Sequence, residues 1–154
     1  MGLDQTKSDR RHDGQATCST GHSIVVCTRC RHTDAKCYPG YELISRLRFA
    51  IDMARRSGTL EADFAVDGIA CMAGFDRPCT VAFRADGKSA YLYLFGDVDA
   101  DADIDGLVAF PQQYAASGDG WTKSTERPLS LHGKTLARIP SALVVEHQVQ
   151  GQAE

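Results

Sequence analysis

Four of the six cysteines in this 154-residue chain stand in two short stretches: Cys27-Thr28-Arg29-Cys30, and Cys71 to Cys79 around Gly74 and Pro78. A thiolate is both a soft metal ligand and a nucleophile, so paired cysteines point to one of those two chemistries. The Cys-x2-Cys spacing serves a redox dithiol or one half of a metal site. The gap between Cys71 and Cys79 exceeds the roughly two to four residues usual within a zinc half-site. An iron–sulfur centre tolerates wider spacing, because a [2Fe-2S] unit divides its thiolates between two irons. The metal candidates are therefore Cys27, Cys30, Cys71 and Cys79, as ligands either to a [2Fe-2S] cluster or to zinc. Cys37 is a reserve ligand in the loop after Cys30, and His32 offers a nitrogen in the same loop. The competing dithiol chemistry uses Cys27 and Cys30 alone. A dithiol activated by a helix N-terminus would open a helix, whereas helical periodicity here begins about ten residues later. Free cysteines also serve as small buried hydrophobes.

Other patterns carry less. Asp97, Asp99, Asp101, Asp103 and Asp105 alternate along the chain. From Asp101 they match the opening half of an EF-hand loop, but Gln112 replaces its closing bidentate Glu and a strand precedes it. The run instead fits a solvated turn whose acids favour the N-terminus of a following helix. Asp76-Arg77 reads as a solvated ion pair. Cys18 lies in a polar segment as an incidental thiol, and His22, His132 and His147 stand alone. No Walker loop, dinucleotide glycine fingerprint or G-x-S-x-G elbow occurs.

A hydrophobic content of 43% is that of a globular protein, and 154 residues suffice for one core. The net charge of -3 and the scattered arginines give no nucleic-acid footprint. No apolar run approaches the ~20 residues of a membrane span, and residues 1–22 lack the apolar core of a signal peptide. The expected setting is a reducing cytoplasm, where structural disulfides are uncommon and cysteines lean toward metal or redox work.

The elements that must position these cysteines are legible in the hydrophobic pattern. Residues 1–22 read as a disordered polar leader, 23–143 as a single domain and 144–154 as a frayed tail. Ser23–Cys27 is apolar and β-branched, predicting a buried strand that ends at the first cysteine. Leu43, Leu47, Ile51 and Ala54 recur at helical spacing, with Arg55 and Arg56 in the last turn and Gly58 at the stop. Asp63–Val66 is a second strand leading to Cys71. Cys79–Phe83 and Ala90–Phe95 bracket Asp86-Gly87, which signals a hairpin. A second helix over 103–116 buries Ile104, Leu107, Val108 and Tyr114. Pro111 inside it predicts a bend or two short helices, since a mid-helix proline costs ~3 kcal/mol. Trp121–Leu143 reads as coil with one short strand. Strand, helix, strand, hairpin and helix in that order make the class α/β with a mixed sheet, in a thioredoxin-like arrangement.

Five separated segments also carry a family resemblance: Val25–Arg31, Cys71–Phe83, Tyr93–Asp97, Tyr114–Ser117 and Ala137–Pro140. Together they resemble a bacterial family of small uncharacterised proteins described as predicted metal-binding proteins. The resemblance spans residues 23–142. It implies a thioredoxin-like domain similar to the [2Fe-2S] ferredoxins of that fold, in which two cysteines follow the first strand and a Cys-x3-Cys pair lies in a later loop. The motif carries over to Cys27, Cys30 and Cys71 but breaks at Phe75, where the second cysteine of that pair is expected. Cys79 or Cys37 then supplies the fourth ligand, or the site is lost and the fold persists as an interaction module. The implied function is one-electron transfer to a partner redox protein or enzyme, without catalytic machinery of its own. The alternative is thiol–disulfide exchange at Cys27 and Cys30.

Overall fold

Alternating burial sets the architecture. Ile24 and Val26, Phe64 and Val66, Val81 and Phe83, and Tyr93 and Phe95 are all buried, two from each of four strands. Side chains two apart share one face of a strand, so these eight define one inner sheet face. The computed structural model describes residues 21–30, 39–85 and 91–140. In chain order they form β1 (His22–Cys27), α1 (Pro39–Arg56), β2 (Phe64–Ile69), β3 (Val81–Ala85), β4 (Leu92–Phe95), α2 (Ile104–Ala116) and β5 (Thr135–Ile139). The sheet runs β2-β1-β3-β4-β5. β1 and β2 are parallel and the remaining neighbours antiparallel. This is the α/β class and the thioredoxin-like order expected from the sequence, extended at one edge by β5.

Helix α1 makes the crossover that a parallel pair requires. Its buried stripe is Leu43, Ile44, Leu47, Ile51 and Ala54, and it packs on β1, β2 and α2. From α2, the Phe110 ring meets Phe83, Phe95 and Tyr93 edge-on at 4.9, 5.1 and 5.3 Å. Such pairs add ~0.5–1.5 kcal/mol each beyond the area they bury. No described helix is long and apolar enough to cross a membrane.

Several expectations need correction. Helix α2 is one helix through Pro111, not two, and the proline ring is buried; its packing offsets the hydrogen bond that its nitrogen cannot make. His22 belongs to β1 rather than to a leader, and its ring lies 4.9 Å from Phe64 and 6.0 Å from Tyr114. Arg77 pairs not with Asp76 but with Asp97, at 2.6 Å. The segment after Trp121 contains two 3-10 turns, Ser124–Glu126 and Leu129–Leu131, besides its strand. The Asp86-Gly87 turn, the tail at 144–154 and residues 1–20 of the leader lie outside the described residues.

The topology also fixes where the cysteines meet. Cys27 is level with Ile69 on one side, and Val26 is level with Val81 on the other. The connection from β2 to β3 must therefore cross the C-terminal end of β1. Two backbone bonds hold it there: Cys27 N–H to the Thr80 carbonyl at 2.9 Å and Thr28 N–H to the Ile69 carbonyl at 2.8 Å. Helix α1 starts hard against the same corner, and a Cβ on Gly40 would fall 2.1 Å from the Cys27 carbonyl oxygen. Backbone cannot give way there as a flexible side chain could. Gly40→Ala should therefore destabilise the protein by ~1–3 kcal/mol in urea unfolding. Gly118→Ala, whose methyl would meet nothing within 4 Å, should leave the midpoint almost unchanged.

Candidate functional site

Where the β2–β3 connection crosses the end of β1, Cys27, Cys30 and Cys71 line one pocket of about 220 Å³. Ala73, Gly74, Phe75 and Pro78 complete its wall, and Arg29 adds a cationic side chain. Cys27 and Cys30 are buried, whereas Cys71 is exposed. Gly74 lets the loop close down, since a Cβ there would lie 2.2 Å from Thr80 Cγ2.

Hydrogen-bond donors surround the sulfurs. Burial pushes the Cys27 thiol up, but bonds from the Cys30 thiol, the Arg29 and Met72 backbone and the Thr80 hydroxyl outweigh it, so Cys27 lies below the ordinary cysteine value. Cys30 moves the other way, raised by burial and by its bond to Cys27, against the Thr80 backbone and hydroxyl. Its Sγ lies 3.7 Å from Thr80 Oγ1. The Ala73 N–H donates to Cys71 Sγ at 3.3 Å. Each of the three sulfurs therefore has at least one polar group within hydrogen-bonding reach, and at Cys27 these bonds outweigh burial and favour the thiolate. Thr80 is the residue that sequence reasoning missed. Nothing in its type marks it, and its role follows from its pairing with the end of β1.

Cys79 is placed differently. It is 1% exposed and borders a separate hollow beside Pro39, Leu43 and Asp99. Burial first, then the neighbouring Cys30 and Cys27 sulfurs, push its thiol up to about 12. Phe75, at the position of the expected cysteine, is 78% exposed on the pocket wall. Cys37 and His32 lie outside the described residues. Among the described residues no three His, Cys, Asp or Glu side chains converge closely enough to hold a metal ion. The donor chemistry of the pocket fits a soft metal, and holding one with all three thiols requires them to draw closer together.

The acidic run is used locally. Asp99 accepts N–H bonds from Asp101 and Ala102, both at 2.8 Å. Asp101 pairs with Arg46, Asp97 with Arg77, and the buried Asp103 with Lys134.

A family model described as "Protein of unknown function (DUF1636)" matches residues 24–141. None of the curated proteins compared with the chain matches it. Among solved structures, a thioredoxin-like [2Fe-2S] ferredoxin from Aquifex aeolicus is similar at 11% identity and a TM-score of 0.47, over 76% of this chain and 91% of the ferredoxin. A cysteine-to-serine variant of the thioredoxin-like [2Fe-2S] ferredoxin from Aquifex aeolicus is similar at 15% identity with the same TM-score, over 76% of this chain and 99% of its own.

Exposure and proton affinity together order the thiols by reactivity. In the native protein at neutral pH, iodoacetamide should modify Cys71 well before Cys79, and Cys79 should react only on unfolding. Peptide mapping by mass spectrometry checks this order, and equal rates at the two positions would contradict the geometry.

Proposed function

The chain belongs to the DUF1636 family of proteins of unknown function, and we propose that it binds a soft metal centre through Cys27, Cys30 and Cys71. The observation that carries this reading is the set of three thiols on one pocket wall, each with hydrogen-bond donors directed at its sulfur. Buried thiolates are stable only if their charge is offset, and a soft cation adjoining N–H donors offsets it. A [2Fe-2S] cluster and zinc share this donor chemistry. When bound, a cluster supplies one-electron transfer to a partner redox protein, and zinc supplies a structural clamp. The chain's own contribution is to hold Cys27 and Cys30 rigidly at the end of β1 and to bring Cys71 over them on the loop. Phe75 offers no lone pair, so the pocket wall supplies three sulfurs and the fourth position falls to Cys37, to Cys79 after rearrangement, or to a ligand from outside.

Anaerobic purification followed by iron, sulfide and zinc analysis tests the proposal. The wild type should carry substoichiometric metal, Cys71→Ser should carry less, and Phe75→Cys should carry more because it adds a fourth thiol to the same wall. If wild type and Phe75→Cys are both metal-free and both resist reconstitution, the proposal fails.

One observation favours a second reading. Cys27 and Cys30 are hydrogen-bonded to each other through their side chains, as a dithiol ready to oxidise would be. In that reaction the Cys27 thiolate attacks a substrate disulfide, forming a mixed disulfide and releasing one substrate thiol. Cys30, losing its proton, then attacks the Cys27 sulfur, giving a Cys27–Cys30 disulfide and the second substrate thiol. Two electrons pass to the substrate. Treatment with oxidised glutathione should yield that intramolecular bond in mapped peptides, and persistent free thiols at both positions would eliminate the reading.

A further inference from the structure

A second pocket, built without cysteine, lies between the 3-10 turn Ser124–Glu126 and the start of β5. It encloses about 340 Å³ and is lined by Ser124, Thr125, Arg127, His132 and Thr135, among others. Its central feature is Arg127, a residue only 8% exposed. Nε–H donates to Thr122 Oγ1 at 3.0 Å, one Nη1–H to Thr135 Oγ1 at 2.8 Å, and one Nη2–H to the Thr122 carbonyl at 2.9 Å. The group also lies over the Tyr93 ring, 5.0 Å from its centroid.

Every one of those partners is neutral. Among the described residues no carboxylate forms an ion pair with Arg127. The nearest acid in sequence, Glu126, is held by Lys123 at 3.1 Å. A guanidinium carries five N–H groups, so one hydrogen on each terminal nitrogen is left without a partner. Buried cations are normally matched by an anion, and arginine's planar fork is matched best by carboxylate or phosphate oxygens. The remaining donors favour phosphate, which offers acceptors on several sides. Thr135 Oγ1 accepts from Arg127, so its own O–H is available to donate. Ser124 and Thr125 add two more hydroxyls on the lining. His132 Nε2 lies 3.0 Å from the Arg127 backbone carbonyl oxygen and ties down the main chain that carries the guanidinium.

We propose that this pocket binds a phosphate group, with Arg127 as its cation and the hydroxyls of Ser124, Thr125 and Thr135 as its other donors. The inference rests on none of the cysteines and stands whether or not the thiol pocket holds a metal.

The test is a titration of the full-length protein with sodium phosphate at constant ionic strength, followed by amide NMR, with sodium chloride as the control. Phosphate should produce saturable shifts concentrated at residues 124–135, and chloride should not. Ser124→Ala combined with Thr125→Ala alters only exposed side chains and should weaken phosphate binding about tenfold, the loss of a charge-assisted hydrogen bond. Arg127→Lys keeps the charge, loses the fork and should weaken binding further. A parallel titration with adenosine monophosphate identifies the source: tighter binding than inorganic phosphate assigns the site to a phosphorylated small molecule, and weaker binding assigns it to the free anion. Shifts that never saturate, that match the chloride control, or that spare residues 124–135 would overturn the proposal. So would a Ser124→Ala/Thr125→Ala variant that binds as tightly as wild type.

Discussion

The chemistry of this protein depends on β1 lying between β2 and β3. A strand flanked by a parallel neighbour on one side and an antiparallel one on the other has, beside its C-terminal end, the finish of the first and the start of the second. The chain joining those two points cannot avoid the end of β1. Here that joining segment is the Cys71–Cys79 loop, and the end of β1 is Cys27. Two sets of thiols separated by forty-odd residues are thereby delivered to one corner before any side-chain preference acts. The bonds from Cys27 and Thr28 to the two flanking strands turn that proximity into a fixed geometry. Strain at this corner should therefore reach fold stability and site geometry together.

The same corner sorts its cysteines by environment. Burial raises the proton affinity of each buried thiol, and its hydrogen bonds decide whether that effect is outweighed. Cys27 gathers donors from its own turn, from Met72 in the crossing loop and from Thr80, and its proton affinity falls despite burial. Cys79, only one residue before Thr80, faces the core and neighbouring sulfurs instead, and its proton affinity rises. The alternation of a strand about to begin explains the contrast: neighbouring residues point to opposite sides. Cys79 thus behaves as a buried hydrophobe in this conformation, while Cys27, Cys30 and Cys71 present polar, pocket-facing sulfur.

Much of this was legible in the sequence. The period of α1 and the strand ending in Cys27 follow from hydrophobic spacing, and the antiparallel pairing of β3 with β4 from alternating runs around a turn signal, and with them the α/β class. Other features were not. Pro111 predicts a bend or a break because its lost hydrogen bond is a local quantity, while the burial that lets the helix run on through it depends on what α2 packs against. The sequence pairs Arg77 with the acid beside it, yet Arg77 sits in a turn closed by its N–H on the Gly74 carbonyl, and its partner Asp97 comes from beyond β4. Thr80 and Arg127 left no signal at all, since hydroxyls and arginines are common on surfaces and only tertiary pairing reveals one at the sulfurs and another buried without an acid.

Phe75 is where sequence and structure press hardest on each other. A phenylalanine fully buried gains ~1.5–3 kcal/mol over an exposed one, and this ring, 78% exposed, forgoes most of that. Neither packing nor ligation explains it inside the isolated fold. It stands on the wall of the thiol pocket, at the position where the resemblance calls for a sulfur. An aromatic group there presents an apolar face at the pocket wall. With Phe75 at that position, the lining of the pocket carries the sulfurs of Cys27, Cys30 and Cys71 and an apolar ring beside them.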